Sequence, residues 1–172
     1  IARRVRELKV YCEIVPFNVR QNDLAHLDLK GIILSGGPNS VYDSDAPLAP
    51  DWMFELGVPV LGICYGMQLM AHQLGGRVAP SQQREYGSAV IIQAQPYSCL
   101  FEGLDNEISV WMSHADRIDA LPPGFHPLSS SPNSPISAMS KGDKLFGIQF
   151  HPEVAHTPQG LLILDNFVKG VC

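Results

Sequence analysis

The segment Val60-Leu-Gly-Ile-Cys-Tyr-Gly-Met-Gln68 has the residue types and spacing for nucleophilic chemistry. An apolar run enters Gly62-x-Cys64-x-Gly66 and a run with helical spacing leaves it, the pattern of a nucleophile elbow with sulfur in place of a hydroxyl. A residue on a sharp strand-to-helix turn is conformationally strained, and side chains two positions away would collide with the bend. Glycine at both flanks removes that collision. The same turn sets the thiol at a helix N-terminus, where the dipole and unpaired N–H groups favour thiolate. A sulfur held in this way can attack a carbonyl carbon. Cys12, Cys99 and Cys172 have no such frame and read as small hydrophobes.

A thiolate nucleophile needs a proton carrier, and the carrier needs an orienting acceptor. Of the six histidines, His151 has the best setting, because residues 144–150 read as a strand that ends in His151-Pro-Glu153. Residues i and i+2 of an extended chain project to one side. Glu153 can therefore fix the His151 tautomer and leave the other ring nitrogen toward sulfur, with Pro152 ending the ladder. His26 and His72 lie in helical stretches, and His126 follows a Pro-Pro-Gly loop. A metal site from His114, Asp116, His151 and His156 lacks ligand spacing. Ser35-Gly-Gly-Pro38 follows another apolar run, and its paired glycines let N–H groups face a ligand. Gly37 with Tyr65 could form an oxyanion hole; a phosphate cradle competes, but neither GxGxxG nor GxxxxGK[ST] is present. Asp116 could pair with a substrate ammonium or cap a turn. Gln68, one turn after Cys64, could reach the polar end of a ligand. Arg84 and Glu85 suggest no more than a structural ion pair in a loop.

The elements that must position these residues follow from periodicity. Residues 1–8 read as a helix, 10–16 as a short strand, 23–27 as a helical turn and 31–35 as a buried strand. A helix over 50–56, a buried strand over 58–63 and a helix over 65–74 follow, the last stopped by Gly75-Gly76. This alternation predicts parallel strands with right-handed crossovers. The second half changes character. Short strands are expected at 89–93, 107–112, 117–120, 135–139 and 144–150, separated by turns at Pro122-Pro-Gly124 and Lys141-Gly-Asp143, before a closing helix over 159–168.

Composition agrees with one globular domain: 172 residues, 45% hydrophobic and 17% charged, with a net charge of −5. No basic stripe exists, which excludes a nucleic-acid footprint. The apolar runs are too short to span a bilayer, and the opening residues lack the apolar core of a secretion signal. Four scattered cysteines without CxxC spacing read as reduced thiols of a cytoplasmic protein.

Together these segments resemble the class I glutamine amidotransferases. The likeness covers nearly the whole chain and rests on Ser35-Gly-Gly-Pro38, Gly62-Ile-Cys-Tyr-Gly-Met-Gln68 and Gly147-Ile-Gln-Phe-His-Pro-Glu153. Arg84-Glu-Tyr-Gly87, Trp111-Met-Ser-His114 and His156-Thr-Pro-Gln-Gly160 are similar to the branch of that family found in GMP synthases. Ala115 stands where that branch has Gly, and Ala155 where Thr is common. The resemblance implies an α/β fold, an open and mostly parallel flavodoxin-like sheet flanked by helices, with antiparallel strands added in the second half. It implies one glutaminase domain over 1–172 that lacks the family's first strand, with no ATP-pyrophosphatase domain in the chain. Cys64 would be the nucleophile, His151 its base and Glu153 the orienting acid. Gly37 and Tyr65 would donate to the oxyanion, and Gln68, Ser113, His114 and Asp116 would hold the amino-acid end of glutamine. No metal or cofactor is implied here; ATP and Mg belong to a synthetase domain or separate chain, which would take the ammonia to aminate XMP in a homodimeric, cytoplasmic enzyme. The alternatives are a catalytically silent module that binds glutamine or docks a synthetase, and a γ-glutamyl cysteine hydrolase of the same fold.

Overall fold

The computed structural model describes residues 1–94 and 98–172, with backbone only for 82–84. Among the described residues seven strands form one sheet: β1 (Ile32–Leu34), β2 (Val60–Ile63), β3 (Arg77–Gln93), β4 (Glu107–Ala120), β5 (His126–Ser130), β6 (Ala138–Lys141) and β7 (Leu145–Ile148). Their order across the sheet is β1-β2-β7-β6-β5-β3-β4. The helices are α1 (Ala2–Glu7), α2 (Trp52–Glu55), α3 (Tyr65–Gln73) and α4 (Gly160–Asp165), and a π-helical turn Asn166–Val171 continues the last.

Strand β2 explains the layering. Its alternation sends Leu61 and Ile63 to one face, among Phe146, Phe150, Ile163, Leu164 and Phe167. Val60 goes to the other face, among Met67, Met70 and Ala71 of α3. A strand apolar on both faces must be covered on both faces, as parallel strands are. So α3 lies on one side, and α4 lies on the other with Ile1 and Leu8 at the ends of α1. Val60, Leu61 and Ile63 are fully buried, and each such side chain contributes roughly 1.5–3 kcal/mol of burial. That core fixes the end of β2, where the chemistry is placed.

The class of fold agrees with expectation, but the sheet is mixed rather than mostly parallel. Among the described residues, β1–β2 and β2–β7 are the parallel ladders, and the other four are antiparallel. The reason is local. After α3 the chain turns back through tight loops, with Gly124 and Gly142 at positive φ in the expected turns, and builds hairpins where a helical crossover would have kept strands parallel.

Several elements differ from the reading of the sequence. The segment 10–16 is not a strand: it pairs with no strand, and Tyr11 and Ile14 stay exposed. A β-prone run without a neighbour has nowhere to place its backbone bonds. Residues 77–88 belong to β3, which continues through the polar 81–84 by a register shift between Pro80 and Glu85. The strands expected at 107–112 and 117–120 are one, β4. Strand β5 was not expected; it begins at His126, just after the Pro-Pro-Gly turn. Among the described residues, no helix is long and apolar enough to cross a membrane, and no group of three or more His, Cys, Asp or Glu could hold a metal ion.

Candidate active site

Parallel pairing brings the two chemical segments together. In the β2–β7 ladder Gly62 lies opposite Gly147 and Ile63 opposite Ile148, and the Cys64 N–H then donates to the Ile148 carbonyl at 2.8 Å. Neighbouring parallel strands end on the same edge of the sheet. Cys64 and His151, 87 positions apart in sequence, therefore meet at their carboxyl ends, where open α/β sheets bind ligands.

Cys64 has φ 53° and ψ −110°. A non-glycine residue there is strained, and such strain collects at functional positions. The flanking glycines are sterically required. A Cβ on Gly62 would lie 2.5 Å from the Gly66 carbonyl oxygen, and one on Gly66 would lie 2.2 Å from the Leu34 carbonyl oxygen. The elbow thus closes against β1 as well as against itself. Tyr65 begins α3 and has no acceptor four residues back, so its N–H is free of the helix ladder.

His151 Nδ1 is 2.9 Å from Glu153 Oε1. The other ring nitrogen is left for Cys64: one point, the Cβ position on Gly36, lies 3.5 Å from His151 Cε1 and 3.7 Å from Cys64 Cβ. Hydrogen bonds to Cys64 first and to Glu153 second outweigh partial burial and hold the His151 pKa up to about 10. A protonated ring is the partner a thiolate requires. Burial pushes the Glu153 carboxyl up, but the bond from His151, with the charges of His151 and the N-terminus, brings it below its ordinary value. The backbone of His151 is also pinned. Its N–H donates to the Trp111 carbonyl at 3.0 Å. Thr157 Oγ1 donates to the His151 carbonyl at 2.6 Å and accepts from the Trp111 N–H at 3.0 Å.

Strand β4 supplies the opposite wall. The Cys64 thiol lies 3.5 Å from the Ser113 carbonyl, and Gln149 Nε2 lies 3.7 Å from the sulfur. The Gln68 amide donates to the Asp116 carbonyl at 2.9 Å and to Gln149 Oε1 at 3.0 Å, so both its N–H groups are committed to protein. The Asp116 carboxylate accepts from Ser40 Oγ and from Tyr42 Oη, the latter at 2.8 Å. Loop residues 35–37 lie over the sulfur: a Cβ on Gly36 would be 3.5 Å from His151 Cε1, and one on Gly37 would be 3.4 Å from the Tyr65 ring.

His114 is placed differently from the other expected ligand-holding residues. Its ring is buried away from the sulfur, with Nδ1 2.9 Å from the Asp116 carbonyl and Nε2 3.0 Å from Glu85 Oε2. The carbonyl fixes Nδ1 as an N–H donor. Burial pulls the His114 pKa below its ordinary value, against the opposing pull of Glu85. Glu85 also accepts from Ser131 Oγ at 3.0 Å. It is therefore a buried strand residue facing His114 rather than half of a loop ion pair; the Arg84 side chain lies outside the described residues. Gln149, Thr157, Ser40 and Tyr42 were not singled out in the sequence. Only Gln149 left a signal, since it sits two positions before His151 and so projects to the same side.

A thiol on a residue at positive φ, an imidazole and a partly buried carboxylate thus lie together beside the start of α3 on a mixed α/β sheet. The class I glutamine amidotransferase family matches residues 1–171, and the chain belongs to that family. It is 61% identical to a GMP synthase (glutamine-hydrolysing) of Thermomicrobium roseum and 50% identical to one of Dehalococcoides mccartyi, over all of this chain and 32% of each relative. The chain thus spans about a third of the length of the curated relatives it matches. A crystal structure from Thermoplasma acidophilum, provisionally described as one subunit of a GMP synthase, superposes with a TM-score of 0.83 at 32% identity, covering 99% of this chain and 85% of that one.

Proposed function

We propose that this chain hydrolyses the side-chain amide of glutamine through a Cys64 thioester and passes the ammonia to a synthetase that converts XMP to GMP with ATP. The observation that carries the reading is the Glu153–His151 pair set beside Cys64, with the sulfur on a residue at positive φ.

The Cys64 thiolate bonds to the amide carbon, and the resulting oxyanion accepts from the Gly37 and Tyr65 N–H groups. His151 gives its proton to the amide nitrogen, the C–N bond breaks and ammonia leaves. Water then loses a proton to His151 and attacks the thioester. The C–S bond breaks, glutamate departs, and sulfur returns as thiolate beside the imidazolium. Glu153 keeps the ring in the required tautomer throughout. Gln68, Ser113, His114 and Asp116 shape the wall that holds the amino-acid end, His114 through its bond to the Asp116 backbone. ATP and Mg act in the synthetase, which the relatives' greater length supports as a further domain or a separate chain.

The test is ammonia release from glutamine by the protein, with and without a synthetase charged with ATP and XMP. Cys64→Ala is expected to abolish release while circular dichroism and thermal unfolding stay unchanged. Undiminished release by that variant refutes the reading. A panel including γ-glutamyl peptides separates glutamine from peptide substrates.

A further inference from the structure

We propose that Ser40 and Tyr42 are specificity-determining residues that align the Asp116 carboxylate for the α-ammonium of the substrate. The inference rests on the glutaminase reading and extends it to two residues outside the nucleophile, its base and the wall behind them.

Asp116 is only 7% exposed, yet among the described residues no cation pairs with its carboxylate. A buried carboxylate needs either a cation or several donors. Here the donors are two neutral hydroxyls, one on each oxygen: Ser40 Oγ on Oδ2 and Tyr42 Oη on Oδ1. A carboxylate has about four lone-pair directions, so both oxygens keep acceptor capacity for a cation. The residue is held at its backbone as well, where the Asp116 carbonyl accepts from Gln68 and His114 at 2.9 Å each. Orientation and residual acceptor capacity are therefore both present.

The spacing matches an amino acid. Ser113, whose carbonyl meets the sulfur, and Asp116 lie on one strand three residues apart, about 10 Å along it. An ammonium four bonds from the reacting carbon spans about 5 Å. Contacts of about 3 Å at each end complete the distance. The hydroxyls also come from the loop that carries Gly36 and Gly37 over the thiol, so one loop touches both ends of the same substrate. Tyr42 is half exposed, and its hydroxyl reaches the buried Asp116 carboxylate.

The test is steady-state glutamine hydrolysis by the protein together with its synthetase charged with ATP and XMP, for Tyr42→Phe and Ser40→Ala. Alkylation of Cys64 by iodoacetamide, which has no ammonium, is followed in parallel. Loss of one hydrogen bond to a charged group is expected to raise KM for glutamine about tenfold, with kcat and the alkylation rate changed less than about twofold. An unchanged KM overturns the proposal. So does a parallel loss of kcat and alkylation, which would make the hydroxyls braces of the loop. Absence of Cys64-dependent hydrolysis in the unsubstituted protein overturns the glutaminase reading itself, a result distinct from either.

Discussion

Gly66 offers the sharpest test of how the elbow is built. A Cβ placed there would lie 2.2 Å from the Leu34 carbonyl oxygen and 2.7 Å from the Leu34 carbonyl carbon. Ordinary carbon–oxygen contact is roughly 3.3 Å, so Gly66→Ala must separate β1 from the first turn of α3 by about 1 Å. Both partners are backbone, and neither can swing aside as a side-chain tip would. Overpacking of this kind costs about 1–3 kcal/mol. A domain of this size loses roughly 2–4 °C in Tm per kcal/mol, so a fall of about 2–12 °C is expected. Activity suffers more, because the turn that moves carries Cys64 and the Tyr65 N–H. A displacement near 1 Å in a reacting group reduces turnover about 100-fold. Thermal unfolding and ammonia release by the same preparation measure the two effects, with Gly170→Ala as control because a Cβ there meets nothing within 4 Å. Gly66→Ala with unaltered Tm and turnover would show that the elbow is looser than its geometry and would refute the reasoning.

Three further outcomes follow from the site. Glu153→Gln removes the acceptor charge but neither the sulfur nor the ring, so turnover should fall less than in Cys64→Ala; an equal loss would assign the carboxylate a more direct part. The His151 pKa is raised from 6.5 to about 10, so the folded state binds the proton more tightly than the unfolded chain. The stabilisation is complete below about pH 6.5 and is lost as pH rises toward about 10. Urea titrations of wild type and His151→Gln should converge across that window, and a difference that widens with pH would reverse the sign. Thr157→Val keeps the shape but removes the hydroxyl between Trp111 and His151. It should cost about 1–3 kcal/mol by leaving a buried donor and acceptor unpaired and should slow turnover; a neutral result by denaturation would show that water replaces the bond.

The parts legible in the sequence were those whose chemistry needs local spacing. Gly62-x-Cys64-x-Gly66 and His151-Pro-Glu153 are each complete within five residues, and the buried strands before them announce themselves as apolar runs. The parts that were not legible depend on distant chain. Gln149, Thr157 and Glu85 have ordinary identities, and only the fold brings them to Cys64, His151 and His114. The length of β3 was hidden because residues 81–84 are polar and carry no alternation, while the ladder passes them by a register shift. The segment 10–16 shows the opposite failure: strand composition is present, but no neighbouring strand is there to pair with it.

The division within the sheet has a consequence for how such a domain can change. In the proposed reaction, attack and proton transfer are anchored on the two parallel neighbours β2 and β7, whereas Ser113 and Asp116 stand on β4 of the antiparallel ribbon. Drift in the ribbon can therefore retune which amide is accepted while leaving the reactive pair in register. One nucleophile could in this way serve many acceptor enzymes, each generation altering the mould and keeping the blade.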